Sequence, residues 1–78
     1  MEPIEVTVRF GPQGQITPLQ FTWKERSYLV ESTGRHWTGA DGLHILAMTS
    51  SGGMFELLFT PGECRWYLGQ AGLSRTAA

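Results

Sequence analysis

Apolar and polar residues alternate with a period of two along most of the chain. Ile4, Val6, Val8 and Phe10 alternate with Glu5, Thr7 and Arg9, the pattern of a strand with one face buried and one wet. The run stops at Gly11-Pro12-Gln13-Gly14, where proline removes an amide donor and glycine admits a positive φ, so the chain must turn. Leu19, Phe21 and Trp23 then alternate with Gln20, Thr22 and Lys24, and Tyr28 and Val30 resume the alternation after Lys24-Glu25-Arg26. This predicts a hairpin whose short, charged turn lacks the glycine that a tight type I′ turn prefers. Gly34 reads either as a bulge in one long bent strand or as a turn between two.

Beyond the Gly39-Ala40-Asp41-Gly42 loop come Leu43 to Thr49, Met54 to Thr60 and Cys64 to Gly69, each of strand length. Ser50-Ser51-Gly52-Gly53 and Thr60-Pro61-Gly62-Glu63 separate them, and Pro61-Gly62 fits the central positions of a type II turn, with Gly62 supplying the positive φ. No segment carries a helical apolar stripe. Turn signals this frequent predict an all-β fold, an antiparallel meander of roughly six or seven short strands forming a small SH3-like barrel or sandwich. Residues 1–70 are expected to form this single domain, and the small, polar residues 71–78 a disordered tail.

The later strands carry apolar residues on both faces. Leu43, Ile45 and Ala47 point one way and His44, Leu46 and Met48 the other; Phe55, Leu57 and Phe59 oppose Met54, Glu56 and Leu58; Trp66 and Leu68 oppose Tyr67. A small barrel has one interior, so Leu46, Met48, Met54, Leu58 and Tyr67 need another cover. Either a loop, the tail or a crossing strand supplies it, or these residues form a face for a protein partner or an isologous homodimer, to which adaptable methionines are suited.

A chain of 78 residues supports one thin core, and such domains are usually reinforced by disulfides, metal or oligomerisation. Cys64 is the sole cysteine, so no internal disulfide forms and the thiol is expected to be a small buried hydrophobe. His36, His44 and Cys64 lack the paired spacing of a zinc site, and neither metal nor cofactor is expected. The start Met1-Glu2-Pro3-Ile4-Glu5 has no basic and apolar leader pattern, and no apolar run is long enough for a membrane helix. These features together point to the cytoplasm.

Candidate chemistry is sparse. His36, Asp41, His44 and Cys64 could build a catalytic or metal site but sit in no recognisable motif, so no enzyme is expected. Glu56, between apolar neighbours on a central strand, must find Arg65, Arg35 or a hydroxyl if its face is covered, or else titrate high. Six basic residues against seven acidic ones, scattered along the chain, remove the strongest argument for nucleic acid. One basic and aromatic edge nevertheless merits attention: Lys24, Arg26, Arg35 and Trp37, the last being the tryptophan outside the clean alternation.

From Phe21 to Val30 the chain resembles the hairpin of a family of small, uncharacterised bacterial β domains with the pattern Phe-x-Trp-basic-Gly-Arg-x-aromatic-x-Val. Trp37, Phe55-Glu56-Leu57 and Trp66-Tyr67-Leu68 match its later parts, so the resemblance spans Pro18 to Leu68. Glu25 departs from it, standing where the family carries glycine. The resemblance implies no catalytic residues. Members are often encoded beside a relative of a damage-tolerance polymerase, which implies an accessory role in DNA repair. The expected function is a non-enzymatic binding or adaptor module with a self-association or protein-partner face, and the alternative is a nucleic-acid-associated accessory domain.

Overall fold

A computed structural model describes residues 2–73, and the side chains of residues 2–71. Six strands follow in chain order: β1 (Glu2–Phe10), β2 (Ile16–Trp23), β3 (Arg26–Gly39), β4 (Gly42–Thr49), β5 (Met54–Thr60) and β6 (Arg65–Leu73). Each pairs antiparallel with the next, and β6 returns to β1, so the meander closes as a barrel and is not a sandwich. There is no helix among the described residues.

Alternation places the core as the sequence predicts. Phe21, Ile45, Ala47, Phe55, Leu57, Trp66 and Leu68 fill the barrel, and Ile4, Val6, Val8, Leu43 and Phe59 pack against them. One end is aromatic: Phe21 stacks on Tyr28 at 5.1 Å between ring centroids, and both meet the Phe55 ring, as does Trp23. Trp23 and Tyr28 are therefore core-packing residues with polar handles, and the Trp23 indole N–H donates to Glu2 Oε1 at 3.2 Å.

Bulges set which residues leave the core. Thr7 pairs with Gln20 but Val8 with Pro18, so Leu19 is the extra residue of a bulge in β2. Leu19 is accordingly exposed and Pro18 buried, which corrects the expectation that Leu19 shares the buried face of Phe21. Gly34 and Arg35 together oppose Leu46, so Gly34 lies in a bulge of one long strand.

Two turns take unexpected conformations. Lys24 and Glu25 both adopt left-handed φ, 52° and 64°, between the paired residues Trp23 and Arg26. The tight hairpin forms without glycine, at the cost of placing two side-chain-bearing residues in a strained region. In the β5–β6 turn the Glu63 amide bonds the Thr60 carbonyl and the Cys64 amide that of Pro61, and the left-handed residue is Cys64, with φ 52°, instead of Gly62. Cys64 is exposed, not buried, because it occupies this turn. Gly42 holds the β3–β4 turn against β5: a Cβ there would lie 2.2 Å from the Phe59 carbonyl oxygen, and only glycine fits.

The predicted tail is partly strand. Ala71 to Leu73 continue β6, with Leu73 paired to Met54, while 74–78 lie outside the described residues.

Candidate functional site

The outer wall of β3–β6 gathers the residues with most chemical character. Register alone builds one row across it: Trp37 on β3 opposes His44 on β4, His44 opposes Leu58 on β5, and Leu58 opposes Tyr67 on β6. Leu46 opposes Glu56, and Met48 lies between Ser32 and Met54. The five partner-face candidates thus share one surface. Their exposure is unequal, however. Leu58 is 2% exposed although it lies outside the barrel's core cluster, and Leu46, Met48, Met54 and Tyr67 are half-buried. Of the five, Leu58 is thus covered within the chain itself, which leaves Leu46, Met48, Met54 and Tyr67 as the accessible part of the face.

A stack and a clamp organise the centre of this wall. The Trp37 and His44 rings lie parallel, 5.0 Å apart and 9° from coplanar, and the Arg35 guanidinium sits 5.3 Å from the Trp37 ring on the same strand. Trp37 is consequently half-buried. His44 Nδ1 donates to Glu56 Oε2 at 2.6 Å and Nε2 to Asp41 Oδ1 at 2.8 Å. Gly69 makes room for this: a Cβ there would meet the Glu56 carboxyl carbon at 3.0 Å. Glu56 therefore finds His44, and not Arg65, Arg35 or a hydroxyl.

Electrostatics follow from the geometry. Burial of the His44 ring opposes its charge, but its hydrogen bonds to Asp41 and Glu56 and their negative charges outweigh burial and raise its pKa above 6.5. A carboxylate at each ring nitrogen favours the form of the ring that carries a proton on both. The hydrogen bond from His44 in turn lowers the Asp41 pKa below 3.8. Tyr67 donates to Glu63 Oε1 at 2.7 Å, and that bond raises the phenol's pKa. With each imidazole nitrogen engaged by a carboxylate, the triad is a cross-strand brace. No group of three or more His, Cys, Asp or Glu among the described residues is arranged to hold a metal ion.

The other candidates are dispersed. His36 is exposed on β3 opposite Ile45, and Cys64 lies in the β5–β6 turn. The basic and aromatic quartet divides in two: Lys24 Nζ sits 4.7 Å over Trp23 beside Arg26 at the β2–β3 turn, whereas Arg35 lies in the β3 bulge and Trp37 just past it. About 30 Å of extended chain separates the two groups along the strand. No helix among the described residues is long and apolar enough to cross a membrane.

Sequence reasoning missed two features. The His44–Glu56 contact was hidden because its signal is the β4–β5 register, which alternation leaves open. The most exposed large apolar residues, Phe10 at 64%, Leu29 at 58% and Leu19 at 41%, lie on β1–β3. Leu29 could have been found, since it alternates outward between Tyr28 and Val30. No protein-family model, curated protein or solved structure matches the chain.

Proposed function

We propose that the chain is a non-enzymatic protein-binding module that docks a protein partner on the outer wall of β3–β6. The observation that carries this reading is the composition and order of that wall: the Arg35–Trp37–His44 stack stands beside Leu46, Met48 and Met54. Tryptophan, arginine, tyrosine and methionine are enriched at the centres of protein interfaces, and lysine is depleted there. The carboxylates on this wall are tied to His44, so a partner meets a preorganised surface with little rotamer entropy left to lose. The aromatic and methionine side chains supply contact area, and Arg35 at the margin supplies orientation.

Affinity capture from a cell extract tests the reading, with immobilised wild-type protein beside Trp37→Ala and Met48→Glu variants of matched thermal stability. A partner retained by the wild type in high salt, and retained about tenfold less by each variant, is the expected result. Equal capture by all three would remove this wall as the docking surface. The DNA-repair association implied by the family resemblance predicts instead that retention collapses as salt rises and survives Met48→Glu.

A further inference from the structure

The barrel's closure leaves one strand edge without a partner. Glu2, Pro3 and Ile4 of β1 pair with β6, whereas Glu5 to Phe10 pair only with β2; no residue of β1 is in both ladders. The row of β1 from Val6 to Phe10 that faces away from β2 therefore has no backbone partner among the described residues. The neighbouring overhang, β2 from Ile16 to Leu19, is also unpaired on its β3 side, but Pro18 and the bulge at Leu19 blunt it. The β1 edge has no proline, lysine or bulged residue between Glu5 and Phe10. Where the β1–β6 ladder ends, an open groove runs between Ile4, Val6, Cys64 and Trp66.

We propose that this edge pairs with the β1 edge of a second copy of the chain, antiparallel and with the two-fold axis at Thr7. The strand is self-complementary in that register. On the outer side Glu5 opposes Arg9 of the second copy, and Arg9 its Glu5, giving two symmetric ion pairs. On the inner side Val6 opposes Val8 in both directions, and on the outer side, between the two ion pairs, Thr7 meets itself. Neither Glu5 nor Arg9 has an ion pair among the described residues, so both are available. The ladder ends at the Glu5–Arg9 pairs, because Trp66 already pairs with Ile4, and Phe10, 64% exposed, turns out of it at the mouth of the second copy's groove beside Ile4 and Trp66. The pairing satisfies the bare edge and covers the most exposed aromatic residue, and it is independent of the β3–β6 wall.

Sedimentation equilibrium across protein concentration, with the single and paired charge variants, tests this. The wild type dimerises reversibly; Arg9→Glu and Glu5→Arg each weaken the dimer about tenfold, because two opposed like-charge pairs replace two ion pairs. The double variant Glu5→Arg/Arg9→Glu restores wild-type association, and Met48→Glu leaves it unchanged. A Thr7→Cys/Cys64→Ser variant forms a covalent dimer on mild oxidation, since residues opposed at the axis lie within disulfide reach. A monomer at all concentrations, or a dimer indifferent to the charge swaps or broken by Met48→Glu, would overturn the proposal. Failure of Thr7→Cys to cross-link while the charge swaps behave as expected would overturn the Thr7-centred register.

Discussion

The two halves of this barrel are built from the same alternating pattern, yet they bury very different amounts. β4, β5 and β6 supply Ile45, Ala47, Thr49, Phe55, Leu57, Leu58, Trp66 and Leu68 as buried residues, whereas Phe21 and Pro18 are the buried residues of β1–β3. The inward residues Ile4, Val6 and Val8 are equally apolar but half-buried. Pairing explains the difference. Leu43, His44, Ile45, Ala47 and Met48 of β4 each have a partner on both sides, in β3 and in β5, while no residue of β1 does. An inward side chain is covered only where the strands flanking it run alongside, so continuity of the ladders governs burial as much as the hydropathy of the residue.

Truncation in the two halves gives the largest expected contrast. Leu57→Ala, at a fully buried position in β5, is expected to cost roughly 2–5 kcal/mol, because the cavity has no room to collapse. Val8→Ala in β1 is expected to cost about 1 kcal/mol, since its site is open at one side and loses less buried area. Urea denaturation of both variants measures the two costs. Similar losses would mean that β1 is covered more completely than its ladders imply.

The comparison also shows what the sequence could and could not reveal. The inward set of β4 to β6 was legible from alternation, as was the surplus of apolar residues behind it, because no bulge interrupts β4. Leu19 was misread because a bulge shifts the face of one residue without changing its neighbours' chemistry. Which of the surplus residues is covered within the chain was not legible: Leu58 is, in the row Trp37–His44–Leu58–Tyr67, and that row exists only once the strands are in register. The Glu56 carboxylate was correctly singled out as needing a partner, but which one depended on the same register.

That brace offers a second contrast, since His44 ties β4 to β5 and to the β3–β4 turn through two carboxylates, whereas β1 and β2 are tied by the single, longer Trp23–Glu2 hydrogen bond. His44 has a folded pKa raised above 6.5, so its contribution to stability is full below about pH 6.5 and is lost as pH rises through the folded value. Asp41, with its pKa lowered below 3.8, acts in the opposite sense, stabilising above that value and losing effect as pH falls through the folded one. The brace is therefore strongest between the two. Thermal denaturation from pH 5 to pH 9 is expected to show wild-type stability declining on the alkaline side (about one proton's worth of slope at most) and the decline absent in His44→Gln. An equal decline in the variant would place the titrating group elsewhere.

The smallest effect separates the halves most sharply. Glu25 in the β2–β3 turn and Cys64 in the β5–β6 turn are both non-glycine residues at left-handed φ, 64° and 52°. Glycine removes the steric cost at either position but adds freedom to the unfolded chain, so Glu25→Gly and Cys64→Gly should each stabilise by about 0.5 kcal/mol. Lys24 keeps its place over Trp23 in the first variant, which leaves the neighbouring contact undisturbed. Equal gains in global stability are expected if the barrel unfolds as one unit, because relief of local strain does not depend on which wall carries it. A gain at Cys64 with none at Glu25 would have a different meaning. The β2–β3 hairpin would then open before the rest, so that strain released there is already absent from the state that unfolds globally. The thinly covered half would be a separate cooperative unit, and hydrogen exchange at Phe21 and Tyr28 would be faster than at Ile45 and Leu57.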